Sequence, residues 1–186
     1  MNALIIDNGS SRIGRIKTLL VNFNTEVVRY DHVSLMNALN TDLIILSGGH
    51  DFPAVGNDDI YHKEIEIIKK VNKPIVGICL GFELIAYVYE GKLERLIERR
   101  EGEATIEIVA SDPVLIGLNN ITVYESHRWV LTEATSPITS LARSTSGIEI
   151  IKHNTKPIYG FQFHPEHPKD INGRRAFLNV ISTLSR

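Results

Sequence analysis

Three short, wholly apolar runs constrain this chain most: Ala3-Leu4-Ile5-Ile6, Leu43-Ile44-Ile45-Leu46, and Ile75-Val76 behind Pro74. Each ends at a glycine-bearing turn: Asp7-Asn8-Gly9, Ser47-Gly48-Gly49 and Gly77-Ile78-Cys79-Leu80-Gly81. A strand with one wet face alternates apolar and polar residues, whereas a strand covered on both faces is apolar throughout, as in parallel sheets. Helical patterns fall between the runs. Ile13, Ile16, Leu20 and Phe23 follow the first turn at helical spacing, with Ser10 or Ser11 as N-cap. Thr25 to Tyr30 is rich in β-formers. Ile60, Ile67, Ile68 and Val71 mark one helix face, while Lys63, Glu64, Glu66, Lys69 and Lys70 occupy much of the other side. The run from Leu84 to Tyr89 is apolar on nearly all sides. This alternation predicts an α/β fold: a doubly wound, mainly parallel open sheet with helices on both faces.

The second half reads differently. "EATIEIVA", "NITVYES", "SGIEIIKH" and "KPIYGFQF" are strand-like with few helical signals between them, which predicts an antiparallel extension of the sheet. Phe177, Leu178, Ile181 and Leu184 then mark a closing helix. No linker divides the halves, so 1–186 is expected to form one domain.

The totals exclude several functions. A net charge of −2 gives no overall attraction to nucleic acid or anionic lipid. The pairs Arg99-Arg100 and Arg174-Arg175 read as solvated surface. No run reaches the length of a membrane span, and the N-terminus lacks the basic flank of a signal peptide. The lone cysteine, Cys79, cannot form an internal disulfide and suits a reducing, cytoplasmic setting. Neither a dinucleotide fingerprint nor a phosphate-binding loop is present.

In open α/β sheets, ligands bind beyond the carboxyl ends of the strands, where the three turns fall. Gly77-Ile78-Cys79-Leu80-Gly81 has the form of a nucleophile elbow, in which small neighbours let a tight strand-to-helix turn hold a nucleophile outward. The following helix N-terminus is expected to lower the thiol pKa. The N–H groups of Leu80 and Gly49 are candidate oxyanion donors. A nucleophilic Cys needs a base. His32 and His62 lie in surface-like segments, and His153 ends a strand of mixed character. His164 follows an apolar strand and precedes Glu166 by two residues, a spacing that lets the carboxylate orient the imidazole. A Cys79–His164–Glu166 site and a merely structural Cys79 both remain open on spacing alone. For His164 and His167, no Cys or acidic partner has a recognised ligand spacing, so no metal is expected.

"GICLG", "SGG" and "YGFQFHPE" together resemble the class I glutamine amidotransferase family over nearly the whole chain. With "DNG" at 7–9 and "ESH" at 125–127, the resemblance is greatest to the separate glutaminase subunits of archaeal GMP synthetase. It implies that Cys79 attacks the side-chain amide of glutamine, that His164 protonates the departing ammonia and that Glu166 orients His164. Gly49 and Leu80 would form the oxyanion hole, while Gly48, Ser126 and His127 would contribute to substrate binding. No cofactor is implied in this chain. ATP and Mg²⁺ would belong to a partner synthetase of the ATP-pyrophosphatase type, which would receive the ammonia.

The chain departs from the family pattern in places. Glu83 stands where a substrate-holding Gln is usual, His50 where Pro is usual, Glu90 in place of a Gly, and Arg128-Trp129 where an Asp is usual. An ionised Glu83 would repel the α-carboxylate of glutamine and raise the thiol pKa, but beside the α-ammonium it would serve as a ligand. Beside the glutaminase reading, two alternatives therefore stand. One is a hydrolase or amidase for another γ-glutamyl compound; the other is a non-catalytic relative that binds a partner or ligand.

Overall fold

The computed structural model describes residues 1–118 and 121–185. The elements in chain order are β1 (Asn2–Asp7), α1 (Ile13–Leu19), β2 (Asn24–Arg29), α2 (Leu35–Leu39), β3 (Leu43–Leu46), α3 (Asp58–Lys70), β4 (Ile75–Ile78) and α4 (Leu80–Val88). Then follow β5 (Lys92–Ile108), a 3₁₀ turn (Pro113–Leu115), β6 (Ile121–Glu133), β7 (Ile138–Arg143), β8 (Ile148–His153), β9 (Ile158–Phe161) and α5 (Ile171–Leu184). Asn120, expected at the start of the sixth strand, lies outside the described residues.

Among the described residues, nine strands join one sheet in the order β2-β1-β3-β4-β9-β8-β6-β5-β7. The sheet is mixed rather than mainly parallel. Strands β2, β1, β3, β4 and β9 run parallel through four pairings. Five antiparallel pairings connect the remainder. The reason lies in the connections: helices cross over between the early strands, whereas β7, β8 and β9 follow one another by short turns that suit antiparallel pairs. Because β5 and β8 each pair with both β6 and β7, these four strands curl into a small barrel at one end.

The apolar runs divide their side chains between two cores. Ala3, Ile5, Leu43, Ile45, Val76 and Ile78 pack with Ile16 and Leu20 at α1 and with Phe177 and Val180 of α5. Leu4, Ile6, Ile44, Leu46 and Ile75 pack on the opposite face with Ile67 and Ile68 of α3 and with Leu84 and Ile85 of α4. Three local expectations change. Arg12 rather than a serine is the N-cap of α1, and Ser10 instead accepts the Arg12 N–H within the preceding turn. Leu178 of α5 is exposed. Glu64, expected on the polar side of α3, is wholly buried because it shares a face with Tyr61 and Ile68. There its Oε1 accepts from Asn8 Nδ2, which also donates to the Ser47 carbonyl. Glu64 thus ties α3 to the ends of β1 and β3.

Candidate active site

The carboxyl ends of β1, β3, β4 and β9 converge on a cleft of about 510 Å³, closed on its far side by β5 and β6. Cys79 stands at the turn from β4 to α4 with φ 51° and ψ −103°, outside the regions an L-residue favours. Strain of this kind, about 1–3 kcal/mol, persists only where the surroundings enforce it. Here they do. A Cβ on Gly77 would lie 2.5 Å from Gly81, and one on Gly81 would strike the Leu46 backbone, so only glycines let the turn close this tightly. The Cys79 N–H donates to the Phe161 carbonyl at 2.8 Å, fixing the elbow against β9.

His164 lies just beyond β9, and its backbone N–H donates to the Tyr124 carbonyl of β6. Its Nδ1 is 2.8 Å from Glu166 Oε1. Arg12 Nη1 also lies 3.2 Å from Nδ1, so an acceptor and a donor compete there. The shorter contact decides the tautomer: a buried carboxylate needs a donor, so Nδ1 carries the proton and donates to Glu166. Nε2 is then the basic nitrogen, 3.4 Å from the Ser126 carbonyl oxygen. The Cys79 thiol donates toward that same carbonyl at 3.9 Å. Thiol and imidazole therefore meet at one backbone oxygen. Gly48 completes the wall, since a Cβ there would lie 3.4 Å from His164 Cε1 and 3.5 Å from Cys79 Cβ.

The electrostatics correct one expectation. Burial, followed by the charges of Glu83 and Glu166, pushes the thiol well above its ordinary value, outweighing the Leu80 N–H and Arg12. The resting sulfur is thus protonated at neutral pH, despite the helix N-terminus. Glu83 is itself buried on α4, and Gln162 Nε2 donates to its Oε1 at 3.2 Å. Burial pushes its carboxyl up to about 8, partly offset by that bond, so Glu83 is mostly neutral at pH 7.

The cleft gathers Cys79, His164, Gly48, Gly49, Leu80, Glu83 and Ser126, while Glu166 stands behind His164. His127 contributes to the wall, but its side chain is wholly buried and turns toward Glu125. Sequence reasoning missed Arg12, Arg95 and Gln162. Arg99, expected on the solvated surface, is exposed as expected but also lines the cleft and donates to Ser126 Oγ at 2.6 Å. With Arg128, four guanidiniums face the cleft and make it attractive to a carboxylate. Arg99 reaches it because the β5–β6 register shifts between Arg95 and Arg100, an irregularity that strand periodicity does not reveal.

Comparison with known proteins gives a consistent pattern. The model of the family described as glutamine amidotransferase class-I matches residues 4–182. The glutamine-hydrolyzing GMP synthase subunit of Pyrococcus abyssi is 36% identical over 178 residues, covering 90% of this chain and 93% of that protein. The protein of the same name from Thermococcus kodakarensis is 34% identical over 181 residues, with 95% of each covered. The crystal structure of a Thermoplasma acidophilum protein, provisionally named as the corresponding GMP synthase subunit, superposes with a TM-score of 0.89 at 27% identity, covering 100% of this chain and 94% of that one. A glutamine amidotransferase from Thermotoga maritima shares the fold, with a TM-score of 0.74 at 17% identity over 98% of this chain and 81% of that one.

Proposed function

Because the chain belongs to the class I glutamine amidotransferase family, we propose that it is the glutaminase subunit of a two-subunit GMP synthetase, hydrolysing glutamine through a thioester on Cys79. The observation that carries the reading is the meeting of a strained, outward-held thiol and a Glu166-oriented imidazole at the Ser126 carbonyl.

The geometry supports the following steps. Substrate binding brings the side-chain amide carbon of glutamine to Sγ, and the thiol proton passes to His164 Nε2. The imidazolium keeps both N–H bonds occupied, one to Glu166 and the other toward the Ser126 carbonyl, so the charge is created with acceptors already in place. Sulfur attacks the amide carbon, and the N–H groups of Gly49 and Leu80 receive the oxyanion. His164 then returns its proton to the departing nitrogen, releasing ammonia and leaving the glutamyl thioester. Water, deprotonated by His164, attacks the thioester to give glutamate and restores the thiol. The raised resting thiol pKa means that the thiol proton is given up only as His164 takes it during attack.

Gly48 and Ser126 flank the reacting groups, and the guanidiniums suit the α-carboxylate. Neutral Glu83 offers a hydroxyl and a carbonyl, much as the usual glutamine amide does. The GMP assignment draws on the names of the relatives, and on this reading ATP and Mg²⁺ act on a separate synthetase subunit. A second reading, hydrolysis of another γ-glutamyl compound, draws on Glu83. The deciding assay measures ammonia release from glutamine with and without the ATP-pyrophosphatase subunit from the same source. Release that rises with the partner and falls at least ~10⁴-fold in Cys79→Ala supports the glutaminase reading. Partner-independent hydrolysis of γ-glutamyl peptides in preference to glutamine supports the second. Full activity in Cys79→Ala overturns both.

A further inference from the structure

Behind the cleft, three buried side chains face one another, each with a polar atom that lacks a hydrogen-bond partner among the described residues. Glu125 and His127 stand two residues apart on one face of β6, and Glu149 projects from β8. One ligand atom from each lies within 4.8 Å of the other two. His127 Nδ1 is 2.9 Å from the Trp129 carbonyl, which can only accept, so Nδ1 carries a proton and Nε2 is the nitrogen left to face the two carboxyl groups. That Nε2 is wholly buried and has no hydrogen-bond partner among the described residues; neither has Glu125 Oε1 nor Glu149 Oε2. The other Glu149 oxygen is held by the Ser144 hydroxyl at 2.8 Å, which fixes the carboxylate's orientation. Arg100 is a neighbouring cation, with Nε 3.9 Å from Glu125 Oε2 and its side chain half-exposed.

Such a cluster needs a proton or a cation at its centre. With both carboxyls ionised and the imidazole neutral, the three side chains would carry a charge of −2 and form a donor set suited to a divalent transition ion. The geometry points to a Zn²⁺-type site formed by Glu125 Oε1, His127 Nε2 and Glu149 Oε2, with further coordination positions open to water. Bonds of about 2.0–2.2 Å require the side chains to close on the ion from their present separation. His127 already has the second hydrogen bond that metal-bound histidines use to fix their tautomer. The position gives the site a use. Ser126, the residue between two of the ligands, presents its carbonyl to both Cys79 and His164, so a bound ion would pin that peptide.

The test reads binding rather than turnover and is independent of the glutaminase reading. Cys79→Ala protein removes the thiol as a competing ligand; it is stripped with a chelator and titrated with Zn²⁺ by calorimetry at pH 7.5. One equivalent should bind, and at ~100 times Kd the melting temperature should rise by about 5–10 °C. Adding Glu149→Gln or Glu125→Gln should each weaken binding by about 100-fold while circular dichroism remains native; either variant suffices if the other fails to fold. Absence of binding at millimolar Zn²⁺ would overturn the site and leave protons as the compensating charge. Binding unchanged in a folded variant would also overturn it by placing the ion elsewhere.

Discussion

Glu83 is the residue at which chemistry and sequence pattern pull apart. Held near pKa 8 by burial, it is a neutral acid below that pH and a carboxylate above it. On the proposed reading, ionisation would place negative charge in the substrate pocket beside Cys79, whose thiol pKa Glu83 already raises. If the neutral form binds glutamine, KM should rise about tenfold by pH 9 relative to neutral pH. Glu83→Gln should keep KM flat over that range, and identical profiles for the two proteins would refute this role. Cys79, His164 and Glu166 were legible as a group because glycines flank the thiol and a two-residue step aligns a carboxylate with an imidazole. Arg12 and Arg99 were not, since nothing local distinguishes a cleft-facing arginine from a solvated one. Glu149 did leave a signal: it is a lone acid in the apolar run Ile148–Ile151.

At the scale of elements, the elbow depends on backbone contact between β3, β4 and α4. Gly81→Ala sets a methyl against the Leu46 backbone and should destabilise the fold by about 3 kcal/mol. Urea unfolding measures this; Gly14→Ala, where a Cβ meets nothing within 4 Å, is the control and should change little. The same elements explain what sequence reasoning could read. Strands β1, β3 and β4 declare themselves because both faces are covered and their central positions are all apolar or small. Strand β5 was read only in its last part, "EATIEIVA"; its first half is largely exposed and its register slips before Arg100. Glu64 was assigned by residue type, although its i, i+3 and i+7 relation to Tyr61 and Ile68 placed it on the buried face.

For the whole molecule, burial of carboxyl groups makes stability depend on pH in an uncommon direction. Burial raises Glu64 and Glu83 to about 8 and Asp170 to about 6. Between roughly pH 4.5 and 8 the folded chain therefore holds protons that the unfolded chain releases, and each such group lowers stability by up to ~1.4 kcal/mol per pH unit as pH rises. The lowered carboxylates Asp31, Glu66 and Glu94 act in the opposite sense but are fully solvated and contribute little. The melting temperature should fall on the order of 10 °C from pH 5.5 to 7.5, and Glu64→Gln should flatten the slope. A melting temperature that rises over this range would contradict the burial account. The ends of β1 and β3 that hold Glu64 through Asn8 also build the cleft, and the reading of that cleft as a glutamine site can be tested directly. The decisive measurement is mass-spectrometric detection of covalent labelling by 6-diazo-5-oxonorleucine, with and without glutamine. The account predicts one adduct, on Cys79, suppressed by glutamine and absent in Cys79→Ala. No adduct on a Cys79 that a general thiol reagent still modifies, with the synthetase partner present, would contradict it.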